Sequence, residues 1–258
     1  MLDLIKKIQK HLGTTADGII GTKTLSALAK AIGVEASADK NVTIKNIQKA
    51  VNTTADGIIG KNTLNCIIKK LGIDDKKLVD PLIQKYIDKP IKFTKVQYKA
   101  QPVTQKYLRG GTSIYGKAGD EGVLVSVPVP ANYPLTYDGK RVKAIRIHKL
   151  AADRLAAALN DIIEHYGEDI EKVAPGACIY NGSYNFRKSR GGSSTSIHSW
   201  GLAIDFDANN NGMYTKWHNA RFSQPIYKPF LDILEHHGFL SLGRRQGTDA
   251  MHVQMTLW

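Results

Sequence analysis

The apolar positions of this chain change rhythm along its length. Near the front they keep helical spacing, as in Leu25, Leu28, Ala29 and Ile32. The same pattern returns 39 residues later. Ile5-Lys-Lys-Ile-Gln9 followed by LGTTADGIIGTKTLSALAKAIG is matched by Ile44-Lys-Asn-Ile-Gln48 followed by VNTTADGIIGKNTLNCIIKKLG. Asp17-Gly18 aligns with Asp56-Gly57, Gly21 with Gly60, and Thr24-Leu25 with Thr63-Leu64. So strict a repeat marks a duplicated supersecondary unit. Each copy reads helix, turn, helix, with Asp-Gly supplying the turn because glycine tolerates positive φ. Thr22 or Thr24, and Asn62 or Thr63, are expected to cap the second helices. Ile19-Ile20 and Ile58-Ile59 are expected to plug the core.

The rhythm is lost over residues 74–110. Asp74-Asp75 followed by two lysines opens this stretch, Pro81, Pro90 and Pro102 punctuate it, and Gly110-Gly111 closes it. It reads as a connector with a short helix around Leu78–Ile87 and a domain boundary between residues 88 and 110. The expected layout is a helical repeat domain over 1–75, a linker over 76–110 and a second domain over 111–258.

Strand-like and helical patterns alternate behind it. Val123–Val129 and Val142–Ile147 read as strands, the first an edge strand because of Pro128. Leu150–Tyr166 carries Leu155, Leu159, Ile162, Ile163 and Tyr166 on one helical stripe. Leu202–Asp207 alternates, with Leu202, Ile204 and Phe206 on one face and Ala203, Asp205 and Asp207 on the other. Pro229–His237 is a second helix ended by Gly238, its paired histidines favourable cations at the negative end of the dipole. His252–Leu257 alternates again, with Val253, Met255 and Leu257 inward. The expected class is α+β, with helices packed on a mostly antiparallel sheet behind a small all-helical domain.

Composition narrows the picture. The chain has 258 residues, of which 42% are apolar, too many for a disordered chain. No apolar run is long enough to span a membrane. Two cysteines, Cys66 and Cys178, cannot make a disulfide scaffold and read as reduced core thiols. The N-terminal MLDLIKKIQKHL lacks the apolar region and cleavage site of a secretory signal, so synthesis in the cytoplasm is expected. Net charge is +13 and uneven: +6 over residues 1–79, +5 over 80–110 and +2 over the rest. A basic front suits an anionic polymer, or simply a solvated lysine-rich surface. Nucleic-acid binding has no reading element to support it.

The candidate chemistry lies at the rear. His198 precedes Asp205 by seven residues, and His252 opens the last strand. Two imidazoles and a carboxylate, with a fourth position left for water, form a ligand set for catalytic zinc. Asp249, three residues before His252, could reach an attacking water as general base. The spacing His-x6-Asp also arises by chance, and a lone histidine is more often a packed one. Asp207-Ala-Asn209-Asn-Asn211-Gly212 copies the first half of a calcium loop, but position twelve is His218, not glutamate. His148 has no role assigned by these patterns.

The surrounding letters carry a resemblance. SIHSWGLAID over Ser196–Asp205 matches the S-x-H-x-x-G-x-A-x-D signature of the VanY-like zinc peptidases, which include D-alanyl-D-alanine carboxypeptidases and L-alanyl-D-glutamate endopeptidases. DAMHVQM at Asp249–Met255 resembles the family's acid-x-x-His element, and YNFRKSRGG at Tyr184–Gly192 its arginine segment. RIHKLAADRLAAAL is also similar, so the likeness covers roughly 150 residues. It implies one zinc ion on His198, Asp205 and His252, Asp249 as catalytic base, and Arg187 holding the developing oxyanion, with Arg190 a rival. It implies that Ser196 and Trp200 shape the site, although Trp200 could equally be core. The front repeat, IQK…ADGIIGxxTLxA, resembles a peptidoglycan-binding repeat, each copy being shorter than the usual module. A helical spacer or dimerisation domain is the other reading.

Taken together, these resemblances imply a modular bacteriophage endolysin. It would be a monomer that binds peptidoglycan, reaches the wall after release, and cuts the L-Ala–D-Glu bond of the stem peptide. D-Ala–D-Ala carboxypeptidase activity, or a non-catalytic wall-binding or virion protein with a vestigial site, are the other readings.

Overall fold

The computed structural model describes residues 1–73 and 80–257. The Asp74-Asp75 opening of the connector and the first residues of the helix expected at Leu78–Ile87 lie outside them. The chain divides into two compact units, Met1–Pro81 and Leu82–Trp258. Among the described residues no helix is long and apolar enough to cross a membrane.

The first unit is four helices: α1 (Leu2–His11), α2 (Thr22–Ile32), α3 (Lys40–Ala50) and α4 (Lys61–Lys70). α2 packs on α3 and α1 on α4 around Ile8, Leu25, Leu28, Ile47, Leu64 and Ile67. The second helix of each copy starts at a glycine, Gly21 or Gly60, with no side-chain cap. Thr24 and Thr63 are instead buried, where their hydroxyls accept from Gln9 Nε2 (3.3 Å) and Gln48 Nε2 (3.4 Å). These two buried glutamines organise the turns. Gln9 donates to Asp17 Oδ1 (2.7 Å) and the Ile19 carbonyl (2.9 Å), and accepts from Gly18 N–H (2.8 Å). Gln48 repeats this with Asp56, Ile58 and Gly57 at 2.7, 3.0 and 2.9 Å. Anchoring the turn from within corrects the expectation for the paired isoleucines. Only one of two adjacent side chains can face inward: Ile20 and Ile59 pack on the core, and Ile19 and Ile58 are each 68% exposed.

The second unit opens with α5 (Pro81–Asp88), β1 (Val103–Thr104) and α6 (Gln105–Arg109). Most of the expected linker is therefore packed structure. Tyr86, Ala100 and Leu108 lie in its core. Tyr86 Oη donates to Asp169 (2.6 Å), Lys89 Nζ to the carbonyls of Glu164 (2.8 Å) and His165 (2.5 Å), and Arg154 Nη2 to the Ala100 carbonyl (2.7 Å). Proline and lysine made this stretch look solvated, but its apolar residues and backbone carbonyls find partners on the unit behind it.

Next come β2 (Leu124–Pro128), β3 (Thr136–Tyr137), β4 (Lys140–Arg141) and β5 (Ala144–His148). β2 pairs antiparallel with β5, and β3 with β4. His148 Nδ1 accepts from Leu150 N–H (3.0 Å) and starts the turn into α7 (Ala152–Tyr166), whose apolar stripe is buried as expected. α8 (Ile170–Val173) and β6 (Tyr180–Gly182) lead to β7 (Ala203–Phe206), α9 (Ala208–Asn211) and α10 (Lys228–His236). β8 (Leu240–Ser241), α11 (Leu242–Gln246), β9 (His252–Gln254) and β10 (Thr256–Leu257) complete the unit. The central sheet has the order β6-β7-β9-β8 and is antiparallel throughout.

This mixture of helices and small, mostly antiparallel sheets is compatible with an α+β class. Two local expectations change. His252–Leu257 is not one strand: Met255 N–H still bonds the Leu202 carbonyl (2.8 Å) at the end of the β7–β9 ladder, but the chain bends there and β10 pairs in parallel with β1. Leu257 is accordingly exposed, while Gln254 and Thr256 are buried. Of the histidines ending α10, His236 is exposed and stacks on Phe93, whereas His237 is buried with Nε2 2.7 Å from Asp161 Oδ2, and burial holds its pKa below the usual imidazole value.

Candidate metal centre

Register brings the first two donors together. In the antiparallel pair β7–β9, Asp205 stands directly opposite His252, so their side chains share one face of the sheet. The third donor comes from the 3-10 turn Ile197–Trp200, which carries His198 into β7. That turn ends at Gly201, with φ of +64°. Gly201 lies so close to β5 that its carbonyl accepts from His148 N–H (2.9 Å), and a Cβ there would meet Leu124 Cδ2 at 2.7 Å. Only glycine allows both the conformation and the approach.

The three side chains converge. His198 Nε2 lies 3.3 Å from Asp205 Oδ2, His252 Nδ1 3.0 Å from Asp205 Oδ1, and the two ring nitrogens 3.2 Å from each other. Among the described residues this is the cluster whose donor atoms could share one ion. The geometry fits a cation. A tetrahedral site with bonds of about 2.0–2.1 Å has edges of about 3.3 Å.

Each imidazole is also set in the ligating tautomer. His198 Nδ1 donates to the Ser183 carbonyl (2.7 Å), and His252 Nε2 to Gln254 Oε1 (3.0 Å), whose own amide is held by the Thr256 carbonyl (3.2 Å). Each ring's proton is thereby committed to the far side, and two lone pairs face each other in a buried place. Such an arrangement calls for a positive charge between them.

Asp249 stands beside this cluster in a left-handed backbone conformation, φ +57°. Its carbonyl accepts from His252 N–H (3.1 Å), and its Oδ1 is buried without a hydrogen-bond partner. Burial raises its proton affinity above the ordinary aspartate value, and the neighbouring Asp205 carboxylate adds to the rise while the Arg190 guanidinium opposes it. A desolvated, unpartnered carboxylate at a cleft is suited to take a proton from a reacting group.

Two cavities meet at the cluster, of about 440 and 380 Å3, and both are lined by Arg187, Arg190, His198 and Asp205. Arg187 is half-buried with Nη1 on the Lys188 carbonyl (3.1 Å), and Arg190 is exposed. Both arginines therefore front the cluster. Ser196 lines the first cavity, whereas Trp200 packs in the core with Nε1 on the Gly116 carbonyl (3.0 Å) and lines neither.

The calcium-loop reading finds no open ligand set. The Asp207 carboxylate is already engaged by Arg221 (3.1 Å), Asn210 (2.8 Å) and Asn211 (3.1 Å). Sequence reasoning gave no role to Gln254 or Ser183. Gln254 lies two residues after His252 on the same strand, a period that could have suggested it. The Ser183 contribution is a backbone carbonyl, which no side-chain pattern records.

The sequence model of a peptidase family described as D-alanyl-D-alanine carboxypeptidase matches residues 190–255. That span holds His198, Asp205, Asp249 and His252. Peptidases of this family are zinc-dependent. No curated protein and no solved structure matches the chain.

Proposed function

We propose that this protein is a zinc peptidase that cuts the stem peptide of peptidoglycan, most simply at the L-Ala–D-Glu bond, and serves as an endolysin. The observation that carries the reading is the convergence of His198, Asp205 and His252 beside an unpartnered Asp249. His198, Asp205 and His252 would hold the ion. When bound, zinc acts as a Lewis acid and acidifies a water.

The chain's own groups supply the rest. Asp249 takes the proton of the attacking water and returns it to the departing amine, which balances the hydrolysis. A guanidinium at the cleft, Arg187 with Arg190 beside it, stabilises the negative charge that develops on the carbonyl oxygen. Ser183 and Gln254 keep both histidines in the ligating tautomer throughout.

Two cavities open at the cluster and share Arg187, Arg190, His198 and Asp205, and a substrate that occupied both would extend beyond the scissile bond in two directions, which favours an endopeptidase. The description of the matched family favours the second reading, removal of a terminal D-alanine. Mass spectrometry of fragments released from purified sacculi separates them: new D-Glu amino termini support the first, free D-alanine the second. The helical repeats, with 13 lysines against 7 acids over residues 1–79, are proposed to hold the monomer on the wall. Co-sedimentation of the full chain with sacculi tests that.

Two substitutions test the site. Asp249→Ala is expected to retain zinc by elemental analysis and lose about 10²–10⁴-fold in turnover. His198→Ala is expected to lose both metal and turnover. Near-normal activity of the Asp249 variant would overturn its role.

A further inference from the structure

The second cavity leads away from the metal cluster between tyrosines. Tyr137, Tyr180 and Tyr184 line it, together with Arg146, Asn181 and Asn185. We propose that this arm is a saccharide subsite, which takes the amino sugar to which a stem peptide is joined, so that glycan-linked stems are the preferred substrates. The inference rests on the peptidase reading above.

The tyrosines are held as rigid walls. Tyr137 ends β3 at a two-residue turn, Asp138-Gly139, whose φ values of +47° and +72° suit a tight hairpin. Its ring is 52% exposed and lies 6.1 Å from that of Tyr180, at 60°. The hairpin is pinned beside β6 by a bridge from Thr136 to Ile179 and by Thr136 Oγ1 on the Cys178 carbonyl (3.2 Å). Tyr180 Oη meets Ser183 Oγ at 2.7 Å, and Ser183 Oγ in turn donates to the Arg146 carbonyl at 2.5 Å. The Arg146 guanidinium lies 5.4 Å from the centre of the Tyr184 ring and is fixed by Glu121 at 2.7 Å. Aromatic faces set at an angle, with amides and a guanidinium between them, match a pyranose. Its C–H faces pack on rings, while its hydroxyl and acetamido groups take hydrogen bonds.

The two arms differ in how their added guanidinium is paired. The first cavity, which also holds Asp249 at the cluster, adds Arg109 to the shared Arg187 and Arg190, and Arg109 is bound to the Thr195 carbonyl with no carboxylate partner among the described residues, which suits the carboxylates of a stem peptide. The tyrosine arm adds one cation, Arg146, already paired with Glu121, which suits a neutral group. A stem peptide has its sugar at the amine end and its carboxylates beyond the first residue. Laid across the cluster with the acidic part toward Arg109, it places the sugar among the tyrosines.

The test compares one stem peptide in two forms, with its amine joined to a lactyl amino sugar or left free. The wild-type chain is expected to show kcat/KM about five- to tenfold higher for the glycopeptide, the size of one aromatic contact. Tyr137→Ala should shrink that ratio toward one, and Tyr137→Phe should preserve it. Independently, saturation-transfer NMR on the zinc-free full chain should show contact with an N-acetylated disaccharide that weakens in Tyr137→Ala. Equal rates for both forms, with a disaccharide signal indifferent to Tyr137, would overturn the subsite, and so would preference for a longer free peptide. Failure to cut either form would instead sink the peptidase reading, while the NMR arm still decides the saccharide.

Discussion

Gln254 does for His252 what the Ser183 carbonyl does for His198: it takes the ring proton on the side away from Asp205. Gln254→Leu should therefore leave the fold intact and weaken zinc binding by about 10- to 100-fold, read by competition with a chelator. Unchanged affinity would mean that the amide merely fills space. The candidate ligands were legible because histidine and aspartate announce their chemistry. The orienting groups were not, since a glutamine and a carbonyl have many other uses. Trp200 shows the reverse limit. A tryptophan inside a signature invites a role at the site, but its indole packs into the core.

At the scale of elements, period-two alternation located β7, and the length of the apolar stripe located α7. It could not show that the chain bends at Met255, because the segment after the bend takes its partner from β1, far away in sequence. Gly201 is the hinge between turn and strand. Gly201→Ala is expected to cost about 1–3 kcal/mol through its left-handed conformation alone, with further loss from the approach to Leu124. Thermal melting with zinc titration would check this, and a stable, zinc-binding variant would contradict it. In the helical repeat, the matched bonds of Gln9 and Gln48 lead to a symmetric expectation. Gln9→Leu and Gln48→Leu should destabilise by similar amounts, about 1–3 kcal/mol for each backbone group left unpaired. Markedly unequal denaturant midpoints would show that the copies have diverged. The duplication was plain in the letters. The exposure of Ile19 and Ile58 was not, since isoleucine ordinarily predicts burial.

For the whole molecule, acid is the informative stress. His148 and His165 are buried, and burial holds both below the usual imidazole value of 6.5, outweighing the Tyr115 backbone near His148 and the His165 hydrogen bond to the Tyr86 carbonyl. One nitrogen of each ring is buried without a partner. Once pH drops below about 6.5 the unfolded chain takes up protons that the folded chain refuses. Stability of the second unit is thus intact above that value and declines beneath it. Melting at pH 7.5 and 5.5 should differ by about 2–4 °C for each kcal/mol lost. His165→Gln, which keeps a donor for Tyr86, should narrow the gap, and an unchanged gap would exclude His165 as a source.

The packed stretch ahead of β2 bears on any attempt to cut this protein down. A fragment starting at residue 111 would discard Tyr86, Ala100 and Leu108, strip β10 of its parallel neighbour and leave the Arg154 guanidinium without the Ala100 carbonyl. Such a truncation should be insoluble on expression, whereas one starting at Leu82 keeps every one of those contacts. The place where the letters suggest severing the chain is not where the molecule would survive it.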